Sequence, residues 1–223
     1  MSIWVQPLRV TNSWMINYCY LIMNATANTA LMIDPSWELQ TIENALTQHQ
    51  IQLKGILLTH HHGDHVHLAK PLALQYQIPV FMSQAEINFY DFKCPNLHPI
   101  TQFEPFTLAD IPIKPIFTPG HTYGGTSCLI EDNLFCGDTL FIEGCGMCFG
   151  QGSNPEILFE SLQILKVEIS PHTHIYPGHS YGKEPGMFFR YVLENNIYLQ
   201  FNEKDAFINY RMRKNQKGLF NFQ

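Results

Sequence analysis

The sequence predicts one α/β domain in which helices cover the outer faces of the sheets. Hydrophobic residues make up 45% of the 223 residues and charged residues 14%, which is ordinary for a folded chain. Strand-like apolar runs alternate with segments of helical spacing, and this order is typical of sheets flanked by helices. Because no repeat and no Pro/Gly/Ser-rich linker divides the chain, we expect residues 1–223 to form a single domain.

The first half of the chain contains most of the predicted alternation of strands and helices. Strands rich in β-branched, aromatic and apolar residues are expected at 3–10, 15–23, 30–33, 55–58 and 79–82. One helix is predicted over 37–49, with Pro35 near its start, and a second should run from the histidine-rich segment to Gln75. Ser83 is a candidate N-cap for a third helix that ends near Tyr90.

In the second half, residues 93–110 are predicted to form a loop, after which strands return. These strands are expected at 111–118, 127–131, 134–136 and 174–176. Asn154-Pro155 should open a helix that reaches about residue 165, because proline suits the first helical position. Two further helices are expected near 185–194 and 203–214.

Charge and cysteine content narrow the class of protein. The net charge of −6 argues against nucleic-acid binding, and no apolar stretch is long enough to span a bilayer. The start of the chain does not resemble a signal peptide, and the six cysteines lack disulfide-framework spacing, so we expect a cytoplasmic protein with reduced thiols. From Lys183 onward, seven of the thirteen Lys and Arg stand against four acids, which indicates either a solvated helix face or a small anion-binding patch.

The segment LLTHHHGDHVH, residues 57–67, contains the strongest chemical signal. His60, His62, Asp64 and His65 follow an apolar strand, and the carboxyl ends of such strands are where α/β sheets place their sites. These nitrogen and oxygen donors suit zinc or iron better than magnesium or copper. The alternative, a group of buried core histidines, would require a hydrogen-bond partner for every ring, and we consider it the weaker interpretation.

Three later segments have the same form, an apolar run followed by a turn and one donor. FTPGH ends at His121, LFCGD at Asp138 and IYPGH at His179. We therefore predict two metal positions, one held by His60, His62, His121 and Asp138 and the other by Asp64, His65, His179 and Asp138. With Asp138 as the bridge, metals about 3.5 Å apart would share a hydroxide, which Asp64 is expected to orient.

The motifs THHHGDH, PGHT, GDTLF and PGHSYG, in this order, resemble those of the metallo-β-lactamase superfamily and, within it, the glyoxalase II branch. The resemblance runs to about Tyr181. It implies a four-layer αβ/βα sandwich with two Zn²⁺ per chain, iron or manganese being alternatives. It also implies the seven ligands proposed above, and a supporting role behind them for Asp34.

Departures from the glyoxalase II pattern bear on the substrate. Met147 stands where that branch has a basic residue that contacts glutathione, and Phe149 stands where it has an aromatic hydroxyl. Tyr181 matches a tyrosine that contacts the backbone of the thiol, and Arg211 and Lys214 resemble an anion-binding pair. The short helical segment 183–223 is expected to cover the pocket.

Together these features predict a thioesterase whose thiol is phosphopantetheine, on an acyl carrier protein or on coenzyme A. The tail of the chain is also similar to the zinc hydrolases associated with trans-acyltransferase polyketide synthases. Hydroxyacylglutathione hydrolysis and iron-dependent persulfide oxidation remain as alternatives. The acyl group, the role of His67, and the choice between monomer and homodimer are left open.

Overall fold

The computed structural model describes residues 3–214 and Gln216. Its first sheet has six strands in the same order as the chain. The two hairpin connections at its start are antiparallel, and the remaining strands are parallel. The strands are β1 (Ile3–Asn12), β2 (Met15–Asn24), β3 (Thr29–Ile33), β4 (Gln52–Leu57), β5 (Val80–Ser83) and β6 (Leu97–Ile100).

The remaining strands form a second six-stranded sheet and a small hairpin. They are β7 (Phe106–Leu108), β8 (Ile111–Phe117), β9 (Thr126–Ile130), β10 (Asn133–Gly137), β11 (Leu140–Phe141), β12 (Gly144–Cys145), β13 (His174–Pro177) and β14 (Met187–Phe188). The order in the sheet is β14-β13-β10-β9-β8-β7, and β11 pairs with β12. Since β9 is antiparallel to both β8 and β10, while β13 is parallel to β10, the strands β8, β10 and β13 end at the same edge.

Helices lie on the outer face of each sheet. They are α1 (Leu39–His49), α2 (Gly63–Val66), α3 (Ala69–Tyr76), α4 (Gln84–Tyr90), α5 (Pro155–Glu168), α6 (Phe189–Asn195) and α7 (Lys204–Arg211), with a 3-10 turn at Ile197–Leu199. Both predicted caps form, because the Ser83 and Asn154 side chains accept hydrogen bonds from backbone N–H groups of the first turn. None of the helices among residues 3–214 is long and apolar enough to cross a membrane.

Three apolar clusters fill the spaces between the layers. Tyr20 and Leu31 of the first sheet pack with Phe135 of the second in the central cluster. An outer cluster joins the first sheet to α1 and α3, and another joins the second sheet to α5, α6 and α7. This succession of helix, sheet, sheet and helix confirms the expected four-layer αβ/βα sandwich.

The structure corrects three local predictions. Residues 93–110 contain β6 and β7, which are edge strands of four and three residues and too short to show an alternating pattern. The helix predicted from residue 37 begins at Leu39, because Trp37 adopts a left-handed backbone with φ of 56°. The helix predicted to reach Gln75 is two helices, α2 and α3, with a break at His67 and Leu68.

Candidate metal centre

Four loops and the tip of the β1–β2 hairpin meet at one edge of the sandwich. His60 and His62 follow β4, His121 follows β8, Asp138 follows β10 and His179 follows β13. Asp64 and His65 lie in the short helix α2. Since the strands before these loops end at the same edge, donors separated by more than 100 residues in the chain lie together.

Three imidazole nitrogens converge in one part of this edge, which we call the three-histidine cluster. His62 Nδ1 lies 3.1 Å from His60 Nε2 and 3.0 Å from His121 Nε2. These atoms could hold one metal ion. Burial lowers the pKa of His62 to about 4, with a further contribution from His121, and burial also lowers the pKa of His60 and His121. All three rings are therefore neutral near pH 7, the state in which imidazole binds a metal.

A second group, the aspartate cluster, consists of Asp64, His65 and His179, and it too could hold an ion. His179 Nε2 lies 3.2 Å and His65 Nε2 3.6 Å from Asp64 Oδ2. Asp138 lies between the two clusters. Its Oδ1 is 3.3 Å from His65 Nε2, and its Oδ2 is 3.5 Å from His179 Nε2 and 3.6 Å from His121 Nε2.

Hydrogen bonds on the far side of the rings assign their tautomers. The Nδ1–H groups of His121 and His179 donate to the carbonyls of Met147 and Ile16, both at 2.7 Å, and His65 Nδ1–H donates to Asp34 Oδ2 at 2.9 Å. The Nε2 atoms then face carboxylate oxygens, and within the described part of the chain buried His65 Nε2 and Asp138 Oδ1 have no hydrogen-bond partner. Neutral imidazole nitrogens and carboxylate oxygens that face one another require positive charge between them, which a proton on His65 or a bound metal ion supplies, so the donor set fits metal ions.

The charges around His65 and Asp138 also favour a cation at this position. Burial acts to lower the pKa of His65, but Asp64 and Asp138 outweigh it and raise that pKa well above its ordinary value. Burial also acts to raise the pKa of Asp138, yet the charges of His179 and His65 hold it well below its usual range. Both aspartates are therefore ionised at neutral pH, and positive charge between them is strongly stabilised.

Asp34 supports ligands of both clusters from behind. Its carboxylate accepts from Thr59 N at 2.8 Å, from the Thr59 hydroxyl at 2.6 Å and from His65 Nδ1. The Thr59 oxygen in turn lies 3.0 Å from His60 Nδ1 and accepts its proton. Asp34 thus contacts His65 directly and His60 through Thr59.

The other histidines of the segment point away from the centre. His61 lies against Glu86, with Nδ1 2.7 Å from Oε1, and stacks on the Tyr90 ring at 3.5 Å. His67 is exposed and contacts the Trp37 ring at 4.9 Å. Sequence reasoning missed Asn17, whose Nδ2 donates to Asp64 Oδ2 at 3.0 Å, because a buried asparagine within a strand carries no local signal.

A cavity of about 240 Å³ opens beside Asp138 and extends toward the C-terminal segment. Met147, Tyr181 and Arg211, which the sequence predicts to contact substrate, line this cavity. Phe149 and Lys214 are exposed and do not belong to its lining. The helix α7 ends at Arg211, so Lys214 does not share a helix face with Arg211. The second cation that lines the cavity is Arg213 and not the predicted Lys214.

Arg211 is an unusual residue for a cavity wall. Its side chain is 2% exposed, and Nη1 donates to Tyr198 Oη and Gln216 Oε1, both at 3.0 Å. Among the residues that the structure describes, its Nε and Nη2 atoms are buried without a hydrogen-bond partner, and no carboxylate forms an ion pair with it. A buried guanidinium with unused donors is suited to bind an anion.

The fold is a four-layer αβ/βα sandwich. The histidines and aspartates at one of its edges form a candidate metal centre. The chain belongs to the metallo-beta-lactamase superfamily, whose family model matches residues 12–179. The family of the chain thus agrees with the one that its motifs indicated.

Comparison with individual proteins shows which members of the superfamily the chain is similar to. The chain is 46% identical to the probable polyketide biosynthesis zinc-dependent hydrolase BaeB of Bacillus velezensis, over 98% of this chain and 97% of that one. It is 36% identical to a hydroxyacylglutathione hydrolase of Halorhodospira halophila, over 74% of this chain and 62% of the relative. The crystal structure of ETHE1 from Myxococcus xanthus superposes with a TM-score of 0.80 at 24% identity, covering 95% of this chain and 92% of that one, and supports the fold alone.

Proposed function

We propose that this chain is a metal-dependent hydrolase that cleaves acyl thioesters carried on phosphopantetheine, with an acyl carrier protein as its partner. The observation that carries the proposal is one cavity with Asp138 of the candidate metal centre in its wall and, in the same wall, the guanidinium of Arg211, which pairs with no carboxylate of the described residues. A substrate with a reactive acyl group and a separate anionic group matches this arrangement.

The seven predicted ligands would hold two zinc ions, with iron or manganese as alternatives. Asp138 faces both clusters and is proposed as the bridge. When bound, the ions would polarise the acyl carbonyl and lower the pKa of a water molecule. Asp64, whose Oδ2 accepts a hydrogen bond from Asn17 at 3.0 Å, is proposed to orient the attacking water.

The chain's own cavity residues favour a thioester. No His–Asp pair lies among the described residues that line the cavity, and a thiol of pKa about 8.5 leaves as thiolate without a strong general acid. Phe141 and Tyr181, with ring centroids 4.9 Å apart, form the wall beside Asp138. Burial raises the pKa of Tyr181, so its phenol stays protonated and can donate a hydrogen bond to the thiol arm.

The anionic group is assigned to the phosphate of phosphopantetheine. Arg211 and Arg213 line the cavity, and guanidinium groups bind phosphate through charge-assisted hydrogen bonds. The cavity volume of about 240 Å³ lies below the usual range for whole small-molecule ligands. This size suits the phosphopantetheine arm, with the carrier protein outside the cavity. The polyketide biosynthesis role in the name of the BaeB relative supports an acyl carrier protein in the cytoplasm.

The C-terminal segment 183–223 is proposed to be the cover of the pocket. In its described part, Ile197, Tyr198, Tyr210 and the two arginines contribute to the cavity wall. Residue 215 and residues 217–223 of this segment lie outside the described residues.

The decisive experiment compares thiol release from an acylated carrier protein, acyl-coenzyme A and acyl-glutathione that carry the same acyl group. Preference for the carrier, by kcat/KM, is the expected result. Preference for acyl-glutathione would overturn the proposal in favour of hydroxyacylglutathione hydrolysis, which the 36% identical relative makes the second candidate. No release from any of the three, with iron bound, would favour persulfide oxidation instead.

A further inference from the structure

We propose that Glu86 is a positioning residue that holds the two loops of the three-histidine cluster at the spacing needed for one of the two metal ions. The inference rests on the proposed metal centre. Glu86 lies in α4, is 0% exposed and belongs to neither predicted ligand set. A buried carboxylate is costly unless its oxygens are hydrogen-bonded, so its partners indicate what it does.

Both oxygens of Glu86 are used, and each reaches a different ligand loop. Oε1 accepts from the backbone N of His61 at 2.9 Å and lies 2.7 Å from His61 Nδ1. Oε2 accepts from Gly124 N at 2.7 Å. His61 stands between His60 and His62, and Gly124 comes three residues after His121. One carboxylate therefore connects all three ligands of the cluster through their backbones.

The surroundings leave these loops little freedom. A Cβ on Gly124 would lie 2.2 Å from Glu86 N, so the backbone of this loop rests directly on α4. Tyr90 of the same helix stacks on His61, and its hydroxyl accepts from Tyr123 N at 3.1 Å and donates to Gln151 O at 2.7 Å. The helix α4 thus contacts both loops through the side chains of Glu86 and Tyr90, and Glu86 is the buried one of the two.

The aspartate cluster is held by other groups. Asn17 donates to Asp64 and accepts from Trp37 Nε1 at 2.8 Å, while Asp34 and Ile16 O accept from His65 and His179. Within residues 3–214, no hydrogen bond joins Glu86 to any of these groups. The loss of Glu86 should therefore affect one metal position and not the other.

The test is the Glu86→Gln variant, whose amide keeps the shape but places an NH₂ group against a backbone N–H donor. Zinc-loaded crystals, measured by anomalous scattering at the zinc edge, give the occupancy of each position separately. Competition with a chelator gives each affinity. We expect the zinc affinity of the three-histidine position to fall by roughly 10- to 100-fold, as is typical when a partner behind a ligand is lost, with the other position unchanged.

Asn17→Ala is the mirror variant and should weaken zinc at the aspartate cluster alone. Glu104→Gln, at an exposed carboxylate, is the surface control. If Glu86→Gln does not fold, His61→Leu decides, because it removes the Nδ1 contact and the stack on Tyr90 but keeps the backbone hydrogen bond to Glu86, and should produce a smaller loss at the same position. Equal loss at both positions, or no loss at either, would overturn the role of Glu86. A wild-type protein that binds no zinc would overturn the metal centre itself.

Discussion

His65 Nε2 and Asp138 Oδ1 lie 3.3 Å apart, and neither atom has a hydrogen-bond partner among residues 3–214 and Gln216. His65 Nδ1 donates its proton to Asp34, so Nε2 faces a carboxylate oxygen, and the raised pKa of His65 places a proton on Nε2 when no metal is bound. The pair is stabilised only by positive charge between its members. Asp138 also faces His121 and His179, and this makes it the side chain on which the proposed dinuclear centre depends most.

Replacing Asp138 should therefore remove the proposed bridge. The Asp138→Ala variant is expected to contain well under the two metal ions per chain of the wild type and to lose nearly all thioesterase activity. Elemental analysis after dialysis measures the first effect and thiol release the second. Asp91→Ala, at an exposed carboxylate paired with Lys93, is the control. A fully active Asp138→Ala protein with both metals would refute the assignment of the ligands.

Arg211→Ala tests the anion pocket. The variant should lower kcat/KM for phosphopantetheine thioesters by roughly 10- to 100-fold, the effect of losing a charge-assisted hydrogen bond of about 1.5–3 kcal/mol. Small thioesters without phosphate should be affected much less. Lys214→Ala should cause a smaller loss, because Lys214 is exposed and outside the cavity wall. Equal losses on both substrate types would exclude phosphate binding by Arg211.

Met147→Lys tests selectivity between thiols. The side chain of Met147 lines the cavity, while its carbonyl accepts from His121 Nδ1 and is unchanged by the substitution. A cation at this position is expected to raise the ratio of activity on acyl-glutathione to activity on the acylated carrier several-fold, by a favourable charge interaction worth about 1 kcal/mol. Met147→Leu is the matched control. An unchanged ratio would show that Met147 does not discriminate between thiols.

The pH dependence of the metal-free protein follows from His62. Its pKa falls from 6.5 to about 4, mainly through burial, so between these values the unfolded chain binds more protons than the folded one. The stability that His62 contributes is thus present above pH 6.5 and is lost as pH falls toward 4. Chemical denaturation should detect a loss on the order of 2–3 kcal/mol, reduced in His62→Gln. A variant with the wild-type slope would contradict this assignment.

Much of the candidate site could be predicted from the sequence, because its metal-binding side chains occur in short sequence motifs. The ligands lie in four short segments that each follow an apolar strand, and such segments at strand ends are local features. The anion pair was predicted only in part. The resemblance to an anion-binding pair assigns Lys214 beside Arg211, whereas α7 ends at Arg211 and the next cation on the cavity wall is Arg213.

The sequence by itself determined the class of fold, the seven candidate ligands and the cap residues Ser83 and Asn154, because these depend on local pattern and spacing. Only the tertiary structure decided what holds the ligands in place. Glu86 reaches His61 and Gly124 across 25 and 38 residues, and Asn17 reaches Asp64 across 47. Such contacts depend on how strands and helices pack, since a lone buried Glu or Asn leaves no periodic signal in the chain.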